Sequence, residues 1–194
     1  MMTGVKPMRY SKTTYMALCG LFAALMTICS YISIPLGFTP VPVNLATLGV
    51  FLTGGLLGRK YGTISMAVYV LIGAIGIPVF SEFRGGLSVL AGPTGGYIIG
   101  YIAAAFLVGL IIDGMMKDRG AGAAQTRSRQ LAICAGAMIV GLLACYLLGT
   151  VWFIVSTHTG VAASLAMCVL PFLPGDALKI AAGAILVQKL RQHI

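Results

Sequence analysis

An acid and a base lie three residues apart in the otherwise apolar segment Pro171–Lys179. On a helix, this spacing places the carboxylate of Asp176 and the ammonium of Lys179 on one face. Asp176 follows Pro174 and Gly175, so we expect it in the first turn of a helix that restarts there, where free N–H groups and the macrodipole favour an anion. Two roles are open for this pair. It either neutralises itself and holds helices together, or lines a polar cavity and binds a small ligand.

The composition indicates a protein that lies almost entirely within a membrane. Of the 194 residues, 59% are hydrophobic and only 9% are charged, and the mean hydropathy is +0.99. Soluble domains carry about 25% charged residues. We therefore predict an all-α membrane protein in which residues 1–194 form one integral membrane domain. A charge at membrane depth costs about 2.5–3.5 kcal/mol, so Asp176 and Lys179 should face protein or water rather than lipid.

The formal net charge of +9 indicates topology rather than a nucleic-acid partner. In a soluble protein, such an excess would suggest nucleic-acid binding. Here the basic residues lie in short loops and termini, where in membrane proteins they set the orientation of the spans. The five cysteines lie in apolar stretches, and with only two histidines they form no zinc-binding pattern. We expect buried free thiols and no metal.

Hydrophobic runs predict six transmembrane helices. Their approximate limits are residues 15–34, 45–57, 63–77, 96–112, 131–155 and 161–187, the last being broken at two prolines. The loop after span 2 is predicted as a tight turn over residues 58–62, and the loop after span 4 covers residues 113–129.

The distribution of basic residues predicts the orientation of these spans. Eleven of the 13 Lys and Arg residues lie before the first span, in the loops after spans 2 and 4, or after the last span. Because basic loops stay on the cytoplasmic side, both termini are predicted to be cytoplasmic. The loop between spans 3 and 4 and the break before Asp176 are then external.

Several polar segments converge on this external end. The loop between spans 3 and 4 is half apolar, so it should be structured, pack back on the bundle and serve as a lid. Within it, Arg84 either pairs with Glu82 at the surface or faces a ligand. Glycines at the start of span 4 let another group approach the backbone closely, and Tyr97 either lines the pocket or belongs to an interfacial aromatic belt. The predicted ligand-binding residues are Asn44, Arg84, Thr94, Gly95, Gly96, Tyr97, Tyr146, Asp176 and Lys179.

Span 1 carries small residues at helical spacing. Gly20 and Ala24 lie four residues apart, as do Cys19 and Ala23, and Ala17 is nearby. Faces of this kind let a second helix approach closely. The second helix belongs either to the same chain or to a partner protein, for which Ala17, Gly20 and Ala24 are the candidate contacts.

The sequence lacks the motifs of the common enzyme classes. It has no G-x-x-x-x-G-K-[ST] for ATP, no H-E-x-x-H and no G-x-S-x-G. A single intramembrane acid is too few for paired-carboxylate hydrolysis. We predict that the chain is not an enzyme and needs no cofactor. A proton-coupled carrier or an intramembrane enzyme that acts alone through Asp176 is the alternative.

Four motifs, read together, resemble the BioY family, the biotin-specific substrate-binding (S) components of energy-coupling factor (ECF) transporters. They are Pro40–Asn44 with Thr47–Gly49, Gly73–Phe80, Gly92–Tyr97 and Pro174–Lys179. The resemblance covers all six predicted spans in order.

The resemblance implies a six-helix protein of the plasma membrane that binds biotin with high affinity near the external face. It also implies two kinds of partner, a transmembrane coupling (T) component and a pair of ABC-type ATPases. In the family, small residues of helix 1 contact the T component, which corresponds here to Ala17, Gly20 and Ala24. Asp176 would bind the ureido N–H groups of biotin, and either Lys179 or Arg84 would bind the valerate carboxylate.

Overall fold

The computed structural model describes residues 11–117 and 127–191, and within them the chain is mainly helical. The helices and strands, in chain order, are α1 (Lys12–Tyr31), β1 (Ser33–Ile34), β2 (Val43–Asn44), α2 (Ala46–Ala74), α3 (Leu87–Ala91), α4 (Gly95–Lys117), α5 (Arg127–Thr157), α6 (Val161–Cys168) and α7 (Leu173–Leu190). A 3-10 turn over Ser81–Phe83 precedes α3. Two segments used above to predict orientation lie outside the described residues. They are the first basic residues of the chain and part of the predicted loop of residues 113–129.

Several of these helices could cross a membrane. In the described part of the chain, α1, α4 and α5 are long and apolar enough, and the pair α6 and α7, bent by 51°, is a fourth candidate. The predicted all-α membrane fold is therefore confirmed in outline. The number of six spans stays a prediction.

Helix α2 contains the predicted spans 2 and 3 and is divided by one residue. Gly58 has φ +72° and ψ −178°, whereas residues on both sides are helical. A Cβ built on Gly62 would lie 3.0 Å from the Cα of Gly54. In a straight helix, residues eight apart are separated by about 12 Å, so the chain bends sharply at Gly58. The predicted turn over residues 58–62 is wrong in extent, because the second half becomes helical directly after this glycine.

Asp113 stabilises this break from a neighbouring helix. Its Oδ2 accepts a hydrogen bond of 2.9 Å from the backbone N–H of Arg59, and its Oδ1 pairs with the guanidinium of Arg191. A Cβ on Gly58 would lie 2.5 Å from Asp113 Oδ2, so the carboxylate fits only against a glycine. The prediction that Asp113 begins a loop is therefore wrong. It lies in α4, where it satisfies an N–H group left free at the start of a helical segment.

The start and end of α1 follow local hydrogen bonding. Ser11 Oγ accepts a hydrogen bond of 3.2 Å from Thr14 N, the usual N-cap arrangement. The helix ends at Tyr31, three residues before the predicted limit, because the next residues form a strand. In that strand Ser33 pairs with Asn44 in an antiparallel two-stranded ladder, which joins the two ends of the proline-rich segment of residues 35–44.

The bundle is centred on α4, which packs chiefly against α2 and α5, whereas α1 packs on α2, and α7 packs on α5 and α2. Small residues permit the close helix approaches. A Cβ on Gly54 in α2 would lie 2.6 Å from the carbonyl oxygen of Ala105 in α4. Such contacts replace the hydrophobic effect as the source of packing energy between membrane helices. All five cysteines are buried and free, as predicted.

Candidate ligand-binding site

The acid–base pair lies at the bend between α6 and α7. Pro174 occupies the first turn of α7, as is common because its missing N–H has no helical partner there. Asp176 follows in the same turn, confirming the predicted helix restart. The residue is only 2% exposed and Lys179 only 8% exposed. Both side chains therefore face the protein interior.

Four side chains from three helices form the cluster around Asp176. Lys179 Nζ donates to Asp176 Oδ1 at 2.9 Å and to Thr47 Oγ1 at 3.2 Å. Thr47 Oγ1 donates to the same Oδ1 at 2.9 Å, and the hydroxyl of Tyr146 donates to Oδ2. In this structure the pair is thus neutralised within the protein, as the first of the two alternatives predicted.

This arrangement still leaves Asp176 able to bind a donor. A carboxylate offers about four lone-pair positions, and the cluster uses three of them. One position on Oδ2 remains for an N–H group of a ligand. Lys179 Nζ likewise uses two of its three donors inside the cluster.

A small cavity lies between the start of α2, the loop of residues 75–94 and α4. Its volume is about 30 Å³, and four of the predicted residues line it, namely Asn44, Arg84, Thr94 and Tyr97. A single water requires roughly 10–15 Å³, whereas ligand sites typically enclose about 300–1,000 Å³. In this structure the cavity is therefore too small for a typical organic ligand.

The first turn of α2 joins the cavity to the acid–base cluster. Asn44 Oδ1 accepts a hydrogen bond of 3.0 Å from Ala46 N, and its Nδ2 donates to Ser81 Oγ at 2.8 Å. Thr47, three residues later, contacts Asp176 and Lys179. The first turn of α2 therefore contributes residues both to the cavity lining and to the acid–base cluster.

Arg84 faces the cavity from the loop and is engaged by an acid. Its guanidinium pairs with the carboxylate of Glu82, and the two side chains are 51% and 35% exposed, respectively. Arg84 therefore pairs with Glu82 at the surface, as the first alternative for this residue holds, and it also lines the cavity.

The predicted residues Gly95 and Gly96 neither line the cavity nor belong to the acid–base cluster. A Cβ on Gly95 would overlap the carbonyl of Leu90, and one on Gly96 would overlap Trp152 and come within 2.8 Å of the carbonyl oxygen of Leu148. The close approach expected at this position is thus made by α3 and α5 of the same chain.

Tyr97 and Thr94 have defined positions beside these glycines. Thr94 accepts a hydrogen bond of 3.1 Å at its carbonyl oxygen from Tyr97 N. The Tyr97 side chain is buried, and its hydroxyl shares a hydrogen bond of 3.1 Å with Thr150 in α5. This burial does not fit an interfacial aromatic belt.

The small residues of α1 divide between two faces. Cys19 and Ala23 are buried, whereas Ala17, Gly20 and Ala24 are exposed. A Cβ on Gly20 would have no atom within 4 Å. The candidate partner residues therefore share a face that nothing in the described part of the chain covers.

Sequence reasoning missed four polar residues of this region. Thr47 belongs to the acid–base cluster, and Tyr69, Ser81 and Tyr101 line the cavity. Thr47 had a usable signal, because it lies one helical turn after Asn44 in a motif already singled out. Tyr101 also had one, because it lies one helical turn after the predicted Tyr97, whereas Tyr69 and Ser81 show no local pattern that distinguishes them from core or loop residues.

Known proteins match this chain from end to end. A family model described as the BioY family matches residues 3–194. A biotin transporter BioY of Thermotoga maritima is 36% identical over 174 residues, which cover 89% of this chain and 93% of that protein. A biotin transporter BioY of Rhodobacter capsulatus is 35% identical over 187 residues, covering 91% of this chain and 92% of that protein.

A solved structure shares the fold as well. The crystal structure of the S-component for biotin from an ECF-type ABC transporter superposes with a TM-score of 0.82 and 29% sequence identity, covering 96% of this chain and 95% of that one. These relatives are described as transporters or transporter components, which opposes the alternative of an intramembrane enzyme. With a family match over nearly its whole length and relatives above 30% identity, the chain belongs to the BioY family.

Proposed function

We propose that this multi-pass plasma-membrane protein is the biotin-binding S component of an ECF-type vitamin importer. The observation that carries the proposal is the family match over residues 3–194. The site supplies suitable chemistry, since a buried carboxylate with a free acceptor position lies close to a cavity that also faces a guanidinium.

In the proposed complex, biotin spans the two groups of residues. One ureido N–H group binds the free position on Asp176 Oδ2, beside Thr47 and Tyr146. The valerate carboxylate binds Arg84 rather than Lys179, because Arg84 lines the cavity whereas Lys179 is committed to the buried cluster. A guanidinium also matches a carboxylate in bidentate geometry.

The remaining predicted residues would shape the pocket. Asn44, Thr94 and Tyr97 line the cavity and would contact the bound vitamin. Gly95 and Gly96 would act indirectly, because their lack of side chains allows α3 and α5 to approach the start of α4.

The proposed topology has six spans with both termini in the cytoplasm. Six crossings result when α1, the two halves of α2, α4, α5 and the bent pair α6 and α7 each count once. Basic residues then lie mainly on the inner side, which agrees with the positive-inside rule. The cavity and its loop would face outward.

The proposed partners are a T component and two ABC ATPases. The exposed face of α1 that carries Ala17, Gly20 and Ala24 would bind the T component, since small residues allow a foreign helix to approach closely. The ATPases would supply the nucleotide hydrolysis for which this chain has no P-loop motif.

Calorimetric titration of the purified protein with biotin tests the function, with thiamine and riboflavin as control ligands. We expect tight binding of biotin alone. Asp176→Asn and Lys179→Ala should each weaken binding at least tenfold, equivalent to about 1.4 kcal/mol. Asp113→Asn, which removes a carboxylate remote from the cavity, should bind normally. A wild-type protein that ignores biotin would contradict the function, and unchanged affinity in both site variants would contradict the site.

A further inference from the structure

We propose that Glu82 is an internal stand-in for the substrate carboxylate, holding Arg84 while the site is empty and giving it up when biotin binds. The inference rests on the proposed function, and it assigns a specificity role to a residue outside the predicted site. It concerns the anionic end of the ligand only.

The first observation is the contact itself. Glu82 pairs with the guanidinium of Arg84, and Arg84 lines the cavity. Arg84 has no other acidic partner among the residues that the structure describes, where the remaining carboxylates, Asp113 and Asp176, pair with Arg191 and Lys179. A ligand carboxylate that reaches Arg84 therefore meets a guanidinium whose charge is already paired with that of Glu82.

The second observation is the backbone that presents Glu82. It has φ +60° and ψ +29°, and the next residue, Phe83, has φ +57°. Two consecutive left-handed residues without a glycine are unusual and carry strain. Surrounding contacts must therefore hold this turn in place.

Those contacts fix both sides of the turn. Ser81 accepts a hydrogen bond of 2.8 Å from Asn44 Nδ2, and the ring of Phe83 lies 4.3 Å from that of Tyr31, centroid to centroid. The backbone N–H of Phe80 donates to the carbonyl of Arg84 at 2.9 Å, which closes the turn. The pairing of Glu82 with Arg84 is thus built into a fixed loop beside the closed cavity.

The third observation is the exposure of the pair. Its side chains are 51% and 35% exposed, and exposed ion pairs add little to stability. A ligand carboxylate can replace Glu82 on Arg84 at little cost, because the exposed pair that it breaks is a weak one. Glu82 can therefore pair with Arg84 in the empty site without preventing the ligand carboxylate from binding there.

A consequence for specificity follows. An uncharged derivative cannot replace Glu82 on Arg84 and gains nothing from its removal. Arg84 therefore favours ligands that carry a carboxylate, whereas Glu82 lowers the affinity of every such ligand by a fixed factor and so narrows that preference.

The test compares biotin with biotin methyl ester, which lacks the charge, by calorimetric titration of the full-length protein. Glu82→Gln keeps the shape of the side chain and removes its charge. We expect it to raise the affinity for biotin about twofold to fivefold and to leave the affinity for the ester unchanged. Arg84→Gln should weaken biotin binding, and Glu82→Gln should have no further effect in that background.

Asp113→Asn is the matched control, because it also removes one negative charge but lies away from the cavity, and it should leave both affinities unchanged. The inference is overturned if wild-type protein binds biotin and Glu82→Gln leaves that affinity unchanged or lowers it, an outcome that spares the proposed function. An equal rise for biotin and ester would also overturn it, since a loosened loop would then explain the gain. Failure of wild-type protein to bind biotin removes the proposed function and this inference together.

Discussion

Replacing Lys179 by methionine would leave the carboxylate of Asp176 buried without its cation. Truncating one partner of a buried ion pair typically costs about 3–5 kcal/mol. Here Thr47 and Tyr146 still donate to the carboxylate, so we expect the lower limit, about 3 kcal/mol. In a chain of this size, 1 kcal/mol shifts the unfolding midpoint by about 2–4 °C, which predicts a decrease of about 6–12 °C.

The double variant Asp176→Asn/Lys179→Met separates structure from ligand binding. It removes both charges, so most of the lost stability should return. Biotin binding should not return, because the carboxylate proposed to accept a ureido N–H group is absent. Lys189→Met is the matched control, since Lys189 is exposed in the last turn of the same helix and should change the midpoint little.

Thermal unfolding of detergent-solubilised protein, followed by tryptophan fluorescence, measures the midpoint, and calorimetry measures binding. Wild-type stability in Lys179→Met would refute the claim that the pair is desolvated. Normal biotin affinity in the double variant would show that the pair only joins helices, as the first alternative for these residues holds.

Two further predictions concern close backbone approaches and are measured by the same thermal assay. Gly96→Ala should destabilise the bundle by about 1–3 kcal/mol through overpacking against α5. Gly136→Ala is the control: with no atom near the new Cβ, it should stabilise α5 by about 0.5–1 kcal/mol. Equal effects of the two substitutions would contradict the packing role of Gly96. Gly58→Ala should cost more than about 1–3 kcal/mol, because a positive φ with ψ near 180° is essentially restricted to glycine and the new Cβ also clashes with Asp113. At Gly76, where φ is +106° and the space is open, alanine should cost less, and a larger loss there would argue against the clash.

Local patterns predicted the features that depend on neighbours in sequence. The three-residue spacing of Asp176 and Lys179 is sufficient to place them on one helix face, and the proline before them predicts the restart. Apolar composition likewise predicts the helical membrane fold and the buried thiols. These properties follow from helix geometry and from the cost of exposing or burying a side chain.

Long-range contacts could not be predicted in this way. Thr47 lies 129 residues from Asp176 in sequence, and no periodicity indicates that the two meet. For the same reason, sequence alone assigned Asp113 to a loop, although its carboxylate satisfies a backbone N–H of another helix. The glycines at the start of α4 correctly predicted that another group lies close to the backbone. The sequence does not reveal which group this is, and in this structure it is α3 and α5.

The shut cavity has a consequence for how fast and how tightly a vitamin can be captured. With about 30 Å³ available, the cavity must widen before biotin fits in the proposed complex. The measured dissociation constant then equals the intrinsic one divided by the fraction of molecules that are open. Each 1.4 kcal/mol that favours closure weakens apparent binding about tenfold, and at high vitamin concentration the association rate levels off at the rate of opening. The free energy that keeps the unoccupied cavity narrow is thus subtracted from the intrinsic free energy of binding.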